Sequence, residues 1–288
     1  VANAGNQQFY SVVPGTQLYL LSNFSTLLKF DTTTFQNESA SPVSFPQRSI
    51  YIMIRDRHGH YFSGNHYDIT FHADKFGRVI LDQRVTSLLI DKKGDLWAGT
   101  WENGLYRIRY QFGDNRFTII SSGQLLASEN IRSLFEDSKG NIWAGTRHHG
   151  LYRLSETQNK RFTILNFNRG SGLSSDFVKG IVEDRKGGLW VAYNQGLDKL
   201  IPAGTTYRVF NFSRVNNYFA NNSNMVIGEN NSLWLSTAEG MAHITDGEME
   251  NGQPLPVYIT KAFSPDSVYP VQAGKLNLTH RHNQMQFE

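Results

Sequence analysis

The sequence contains no cysteine, which excludes disulfide bonds, zinc–thiolate sites and catalysis by a thiol nucleophile. It also lacks an apolar run of the roughly 18 residues that a membrane-spanning helix needs. Charged residues make up only 18% of the chain, and its 28 basic residues, which leave a net charge of +3, are scattered along it. We therefore expect no membrane span in this segment and no nucleic-acid partner, because a nucleic-acid site needs a concentrated basic patch.

Aromatic residues are abundant, at 13%, and several of them recur within a repeated segment. A period in the forties, with strand-like units and one tryptophan per copy, is the signature of propeller blades. The sequence therefore predicts that residues 1–253 form an all-β fold, a β-propeller of four-stranded blades in which six repeats are visible and a seventh blade is left open. The aromatic positions of the repeats are Tyr19, Phe62, Trp97, Trp143, Trp190 and Trp234, of which the last four are 46, 47 and 44 residues apart.

One repeat shows how a blade is built. The apolar run 85–90 predicts a buried strand, and residues 91–94, Asp-Lys-Lys-Gly, predict a tight turn with Asp first and Gly last. Residues 96–100, 104–108 and 116–120 predict the three further strands. We expect the tryptophans to pack between neighbouring blades and the Glu-Asp pairs before the turns to be structural.

The sequence motif Glu-Asp-x-x-Gly-x-(Leu/Ile)-Trp, followed by Gly-Leu-Tyr-Arg, resembles the two-component regulator propeller repeat. The resemblance is strong over residues 85–244 and weak over 18–72. Residues 254–288 resemble the first part of the triple-tyrosine (Y-Y-Y) domain, an immunoglobulin-like sandwich that follows the propellers in such receptors. The domain boundary is therefore predicted at 253/254, with the sandwich truncated.

This resemblance implies the periplasmic sensor region of a hybrid two-component histidine kinase, as in Bacteroidetes. The segment itself would be no enzyme and need no cofactor, since the kinase lies outside it. Expected partners are an oligosaccharide or another small-molecule ligand, the adjoining propeller and Y-Y-Y domains of the same receptor, and a second copy in a homodimer.

Loops between the second and third strands should all emerge on one face, because the repeat is radial. In these loops aromatic rings stand beside imidazole, amide and guanidinium groups, which suit the apolar faces and hydroxyls of sugars. The candidate ligand-binding residues are His66, Tyr67, Trp101, Glu102, Asn103, Arg147, His148, His149, Tyr193 and Asn194.

Other interpretations stay open at this point. Four histidines lie within residues 58–72, but two of them flank the predicted turn, and we expect no metal site. A propeller lyase of the streptogramin or polysaccharide lyase type would need a histidine and a carboxylate that converge, for which His148 and His149 with Glu102 are the candidates. A structural or protein-interaction propeller would present a featureless face.

Overall fold

The computed structural model describes 26 strands and one short 3₁₀ helix, Arg169–Ser171, within the residues that follow. No helix in this described part of the chain is long and apolar enough to cross a membrane. The described residues are 9–13, 18–22, 26–30, 37–40, 50, 52–73, 76–114, 116–194, 196–204, 206–212, 225–228, 230–237, 240–244, 261–264, 267–270 and 286–287.

Six antiparallel sheets follow one another along the chain, and each is a simple meander, which confirms the predicted β-propeller. Blade 1 has strands β1 (Phe9–Val13), β2 (Leu18–Ser22), β3 (Thr26–Phe30) and β4 (Asn37–Ala40), and blade 2 has β5 (Ile52–Arg55), β6 (Tyr61–Gly64), β7 (Ile69–Ala73) and β8 (Phe76–Leu81). Blade 3 has β9 (Val85–Ile90), β10 (Leu96–Thr100), β11 (Leu105–Gly113) and β12 (Arg116–Leu125), and blade 4 has β13 (Ile131–Glu136), β14 (Ile142–Thr146), β15 (Leu151–Glu156) and β16 (Phe162–Phe167). Blade 5 has β17 (Gly180–Glu183), β18 (Leu189–Ala192), β19 (Leu197–Ala203) and β20 (Thr206–Asn211), and blade 6 has β21 (Met225–Ile227), β22 (Leu233–Thr237) and β23 (Gly240–Ile244).

A further three-stranded sheet lies beyond blade 6, in the order β25–β24–β26. Its strands are β24 (Lys261–Ser264), β25 (Ser267–Pro270) and β26 (Gln286–Phe287). Residues 245–260 and 271–285, which carry the predicted junction and most of the Y-Y-Y resemblance, lie outside the described residues. The boundary at 253/254 and the identification of the sandwich therefore stay predictions.

The first strands of successive blades contact one another, so they form the inner layer of the propeller. Fourth strands such as β12 are largely exposed and form its outer rim. Because each blade is a meander, the turns after the first strands share one face, which we call the lower face. The loops after the second strands and the connectors between blades share the opposite face, the upper face.

In blades 2 to 5, the turn after the first strand is organised by an aspartate. In blade 4, Asp137 Oδ1 accepts hydrogen bonds from the backbone amides of Lys139 (3.0 Å) and Asn141 (2.8 Å). Its Oδ2 accepts from Trp143 Nε1 at 2.9 Å, and Gly140 takes the positive φ of 80° that the turn requires. The amide contacts and positive-φ glycines recur with Asp56 and Gly59, Asp91 and Gly94, and Asp184 and Gly187.

In blade 3 the second aspartate oxygen, Asp91 Oδ2, likewise accepts from Trp97 Nε1, at 2.8 Å, whereas in blades 2 and 5 the aspartate has other partners. In blade 2 the aromatic position is a phenylalanine, and Asp56 Oδ2 lies 3.0 Å from both Tyr110 Oη and His60 Nδ1. In blade 5 the Asp184 carboxylate forms a 2.7 Å ion pair with Lys199. The buried carboxylate therefore keeps a polar partner in each case, which its burial requires.

The aromatic residues of blades 2 to 5 pack between blades, as predicted, whereas the side chain of Tyr19 in blade 1 lies outside the described residues. Trp143, which is fully buried, belongs to a cluster with Val178, Leu189 and Val191 of blade 5. Trp97 packs in the same way against blade 4, Trp190 against blade 6, and Phe62 against blade 3. Each large ring thus joins its own sheet to the following sheet.

Blade 6 departs from this pattern, as its altered turn sequence indicates. Gly228 occupies the aspartate position and Asn231 takes the positive φ, at 57°. Trp234 is only half-buried and stacks on His243, with ring centroids 4.1 Å apart. This aromatic position is therefore less enclosed than those of blades 2 to 5.

Glutamates before the turns tie neighbouring blades together. Glu136 Oε2 accepts from the backbone amide of Lys92 in blade 3, at 2.8 Å. Glu183 accepts in the same way from the Ser138 amide of blade 4, at 2.6 Å. Burial raises the pKa of Glu136, although its hydrogen bond from Lys92 opposes that shift. These contacts confirm a structural role for the Glu-Asp pairs.

Glycines in the second strands allow the inner strand of the next blade to lie close to them. A Cβ atom added to Gly99 would lie 2.5 Å from Ile131 Cγ2, at the start of the next inner strand. The same addition at Gly145 would lie 2.5 Å from Val178 Cγ1. A side chain there would push adjacent blades apart, so glycine fixes how closely the inner strands approach.

We predict that Trp143→Ala lowers the free energy of unfolding by about 3–5 kcal/mol, since it removes a buried ring and leaves a cavity between blades. Chemical denaturation measures the change. Ile120→Ala serves as the control, because that side chain is 55% exposed and its loss should cost under about 0.5 kcal/mol. A loss below about 1 kcal/mol for Trp143→Ala would contradict the packing role.

Candidate functional site

The loops on the upper face are fastened to the connectors between blades. Trp101, the first loop residue of blade 3, donates its backbone N–H to the carbonyl of Arg84 at 3.0 Å. Arg147, at the same position of blade 4, donates to the carbonyl of Asn130 at 2.9 Å. Loop and connector side chains are therefore held side by side around the inner strands.

Three guanidinium groups surround the Trp101 indole. The Cζ atoms of Arg84, Arg132 and Arg147 lie 4.0, 4.8 and 5.4 Å from the centroid of its ring. Cations at these distances are attracted to the electron-rich face of an indole. The structure thus gives Trp101 a role that the sequence did not predict, which is to gather cationic side chains from two blades.

A second aromatic ring continues this arrangement. The Phe177 ring centroid lies 5.7 Å from Arg132 Cζ, 5.8 Å from Arg147 Cζ and 6.0 Å from Lys179 Nζ. Phe177 and Lys179 flank the start of the inner strand of blade 5. The cations therefore extend across three blades, and we call Arg84, Arg132, Arg147 and Lys179 the cationic cluster.

The cationic cluster borders an open cavity of about 350 Å³. Such a volume suits a small ligand or one unit of a longer one. Three cluster members reach the cavity, and Arg147 stands beside it through its contact with Trp101. The lining residues are His66, Arg84, Val85, Thr86, Trp101, Arg132 and Lys179.

No described carboxylate compensates the positive charge of the cluster. Within the part of the chain that the structure describes, none of its four members forms an ion pair with a carboxylate. Burial lowers the pKa of Arg132, and the positive charges of Arg147 and Arg84 lower it further. Burial also lowers the pKa of Lys179, again with a contribution from a neighbouring cation, Arg132. Positive charge is therefore concentrated at this point of the upper face.

Sequence analysis missed four residues of this site, although the repeat alignment contained the signal for them. These residues occupy two sets of equivalent positions in the repeat, which lie thirteen and eleven residues before the aromatic residue of each blade. The first set contains Arg84 and Phe177, and the second contains Arg132 and Lys179. Both sets lie at the upper ends of the inner strands, next to the loops that were predicted.

Several predicted residues lie on the upper face as expected. Tyr67 is 66% exposed, and Glu102, Asn103 and Asn194 are exposed as well. Asn103 is held in place, because its Nδ2 donates to Gln83 Oε1 at 2.6 Å. These residues lie on the same face as the cavity, and the predicted His66 lines the cavity itself.

The prediction for Tyr193 is wrong. Its side chain is fully buried, and its hydroxyl donates to Asp198 Oδ2 at 2.6 Å. Asp198 also accepts from the Ser174 amide and the Asn211 side chain, so the tyrosine is part of a structural network. Burial and the nearby charge of Asp198 raise the pKa of Tyr193 well above its usual value.

His148 and His149 are exposed, but Glu102 is not the carboxylate partner that the lyase interpretation required. His149 Nδ1 lies 2.9 Å from Glu129 Oε2, and Tyr152 donates to Glu129 Oε1 at 2.8 Å. Tyr152 belongs to the third strand of its blade, away from the inner layer. This histidine–carboxylate pair is therefore distinct from the cationic cavity.

The four histidines of blade 2 occupy separate environments. His58 and His60 lie in the lower turn, whereas His66 lies on the upper face. His72 is buried and bonded to Ser63, and its burial lowers its pKa to about 4. Among the described residues, no three histidine or acidic side chains are grouped so that they could hold a metal ion.

Three segments of the chain match the model of a known protein family. Residues 80–102, 125–148 and 172–195 match the two component regulator propeller. No curated protein matches the chain.

Solved structures share the fold at low sequence identity. The extracellular domain of a protein described as a hybrid two component system from B. thetaiotaomicron is 17% identical, with a TM-score of 0.61; the match covers 93% of this chain and 39% of that domain. The chain thus spans well under half of that domain's length. Virginiamycin B lyase from Staphylococcus aureus is 12% identical, with a TM-score of 0.65, and the match covers 94% of this chain and 86% of the lyase. PorZ, a surface component of the type-IX secretion system of Porphyromonas gingivalis, is 15% identical, with a TM-score of 0.59 and coverages of 84% and 41%.

We predict that Arg132→Gln stabilises the fold, because it removes a partly buried charge that its neighbours repel. Relief of about 1 kcal/mol would raise the melting temperature by about 2–4 °C. Differential scanning calorimetry at low and high salt measures the effect, which should shrink as salt screens the repulsion. A fall in melting temperature would show that the attraction of Arg132 to the rings of Trp101 and Phe177 outweighs the repulsion.

Proposed function

The chain carries two-component regulator propeller repeats, and from this we propose that it is a non-enzymatic sensory propeller that binds a saccharide on its upper face. The observation that carries the proposal is the cavity bordered by Trp101, Arg132 and Lys179. Its lining residues come from four blades, blades 2 to 5, so a bound molecule would contact separate parts of the propeller at once. Such a ligand can alter how the blades sit against one another.

The chemistry of the upper face suits sugars. Guanidinium groups donate paired hydrogen bonds in a fixed fork, and neighbouring hydroxyls on a sugar ring can accept them. Tyr67, largely exposed beside the cavity residue His66, offers a ring on which an apolar sugar face can stack. Asn103 and Asn194 add exposed amide groups on the upper face.

The place of the propeller in a receptor forms part of the same proposal. We place it on the extracytoplasmic side of the membrane, in the periplasm, where it would sense an oligosaccharide or polysaccharide fragment. Adjoining propeller and Y-Y-Y domains would pass the signal to a histidine kinase outside this segment, with a second receptor copy as dimer partner. The likeness to an extracellular domain of a hybrid two component system supports this placement through the shared fold.

A propeller lyase is the alternative from another class of function. The fold likeness to virginiamycin B lyase makes it a fair comparison. Against it, the His149–Glu129 pair lies outside the cavity, and His149 is 63% exposed. A general base needs a position beside the bound substrate, and this pair does not have one.

We predict that a matching oligosaccharide binds with millimolar to micromolar affinity and that Trp101→Ala/Arg147→Ala abolishes binding. A stacked ring and a paired polar contact would each contribute about 1–3 kcal/mol. Thermal shift against a saccharide panel finds the ligand, and isothermal titration calorimetry measures its affinity for the wild type and the variant.

The control is Arg57→Ala/His58→Ala, which alters a second cavity, of about 510 Å³, on the lower face. This variant should bind the saccharide as the wild type does. If the upper-face variant still binds the saccharide and the lower-face variant does not, the ligand site lies on the lower face and the proposed site is wrong. A saccharide recovered in chemically altered form would refute the non-enzymatic role.

A further inference from the structure

We infer that the ligand of the upper face carries an anionic group, a carboxylate or a sulfate ester on an acidic oligosaccharide, which Arg132 and Lys179 bind directly. This inference rests on the proposed function and narrows its ligand class. Arg84 and Arg147 complete the site from either side of Trp101. A neutral sugar would leave the cationic cluster without a counter-charge.

The uncompensated charge of the cluster stands out against the rest of the protein. On the lower face, Arg107 and Arg109 pair with Asp95 at 2.8 and 3.0 Å, and Lys199 pairs with Asp184. These three cations are therefore matched with carboxylates, whereas the partly buried guanidinium of Arg153 lies against the rings of Trp143 and Tyr207. At the upper cavity four cations converge and none of the described carboxylates pairs with them, so an anion from outside fits the site.

The positions of these cations in the repeat strengthen the argument. Arg132 and Lys179 are equivalent residues of blades 4 and 5, each at the upper end of an inner strand. The equivalent residue of blade 3 is Thr86, whose hydroxyl donates to the carbonyl of Gly99 at 3.0 Å. The inner strands of these two blades are in contact, both cations line the same cavity, and both lie beside the Phe177 ring, so they can hold one anion together.

The electrostatic state of the site agrees with this geometry. The pKa values of Arg132 and Lys179 are lowered by burial and by neighbouring positive charge, so each charged group is destabilised in the free protein. A bound anion would reverse the effect of the neighbouring charges, because its interaction with each cation is favourable. The attraction between a bound anion and the cations would thus offset the repulsion that is present before the ligand arrives.

Two matched pairs of saccharides test the inference. One pair is an oligogalacturonate and its methyl ester, which differ in carboxylate charge. The other is a sulfated dextran oligosaccharide and the unsulfated parent of equal length. Calorimetry should show that the anionic member of at least one pair binds at least about tenfold more tightly than its neutral counterpart. Which pair responds distinguishes a carboxylate from a sulfate ligand.

The test variant is Arg132→Gln/Lys179→Gln, and the control is Arg116→Gln/Arg208→Gln. The control removes the same net charge from exposed positions on the outer strands β12 and β20. We expect the test variant to lose at least about tenfold in affinity for the anionic saccharide and the control to lose less than about twofold. Equal losses in both variants would show only a general effect of net charge and would overturn the inference.

A saccharide-free measurement separates this inference from the proposed function. Sodium sulfate, compared with sodium chloride at equal ionic strength, should raise the melting temperature of the wild type more than that of the test variant. If sulfate does so but no saccharide binds, the anion site stands and the saccharide proposal fails. If neutral saccharides bind as tightly as anionic ones, the proposed function stands and the anion inference fails. If the test variant responds to sulfate as the wild type does, there is no anion site.

Discussion

Blades 2 to 5 of the propeller depend on one hydrogen-bonding unit, the aspartate of the turn after the first strand. One carboxylate oxygen caps two backbone amides, as Asp137 does, and thereby sets the turn between the first two strands. The other oxygen holds the indole of Trp143, which fills the space against the next blade. Because one buried group fixes both the turn and the ring, the strands of a blade and their distance from the next blade are set together. The loops and connectors of the upper face are regularly placed as well, because they join the opposite ends of the same strands.

Variation between the blades shows which part of this unit is needed. Blade 2 replaces the indole with Phe62 and satisfies its aspartate with Tyr110 and His60. Blade 5 uses Lys199, and within the described residues Trp190 Nε1 has no hydrogen-bond partner. The partner of the aspartate can therefore change, whereas a large apolar ring between blades is kept in blades 2 to 5.

Much of the fold could be predicted from the sequence, because it depends on contacts that repeat at fixed spacing. The aromatic positions, the Asp-x-x-Gly turns and the common face of the loops all follow from that spacing. The site was predicted only in part. Tyr193 looked like a loop residue, yet its ring packs in the core because Asp198 is available to bind its hydroxyl. Arg132 and Lys179 look like ordinary strand residues, and only the radial arrangement of inner strands brings them together.

The cavity and the cationic cluster of the upper face both follow from one arrangement, in which equivalent residues of neighbouring blades meet near the axis. The most direct test is hydrogen–deuterium exchange with and without a saturating saccharide that binds. Exchange should slow at the upper-face segments 82–84, 101–103, 126–132 and 173–179. It should stay unchanged at the lower turns 91–94, 137–140 and 184–187. Protection confined to the lower turns would contradict the assignment of the ligand site to the upper face.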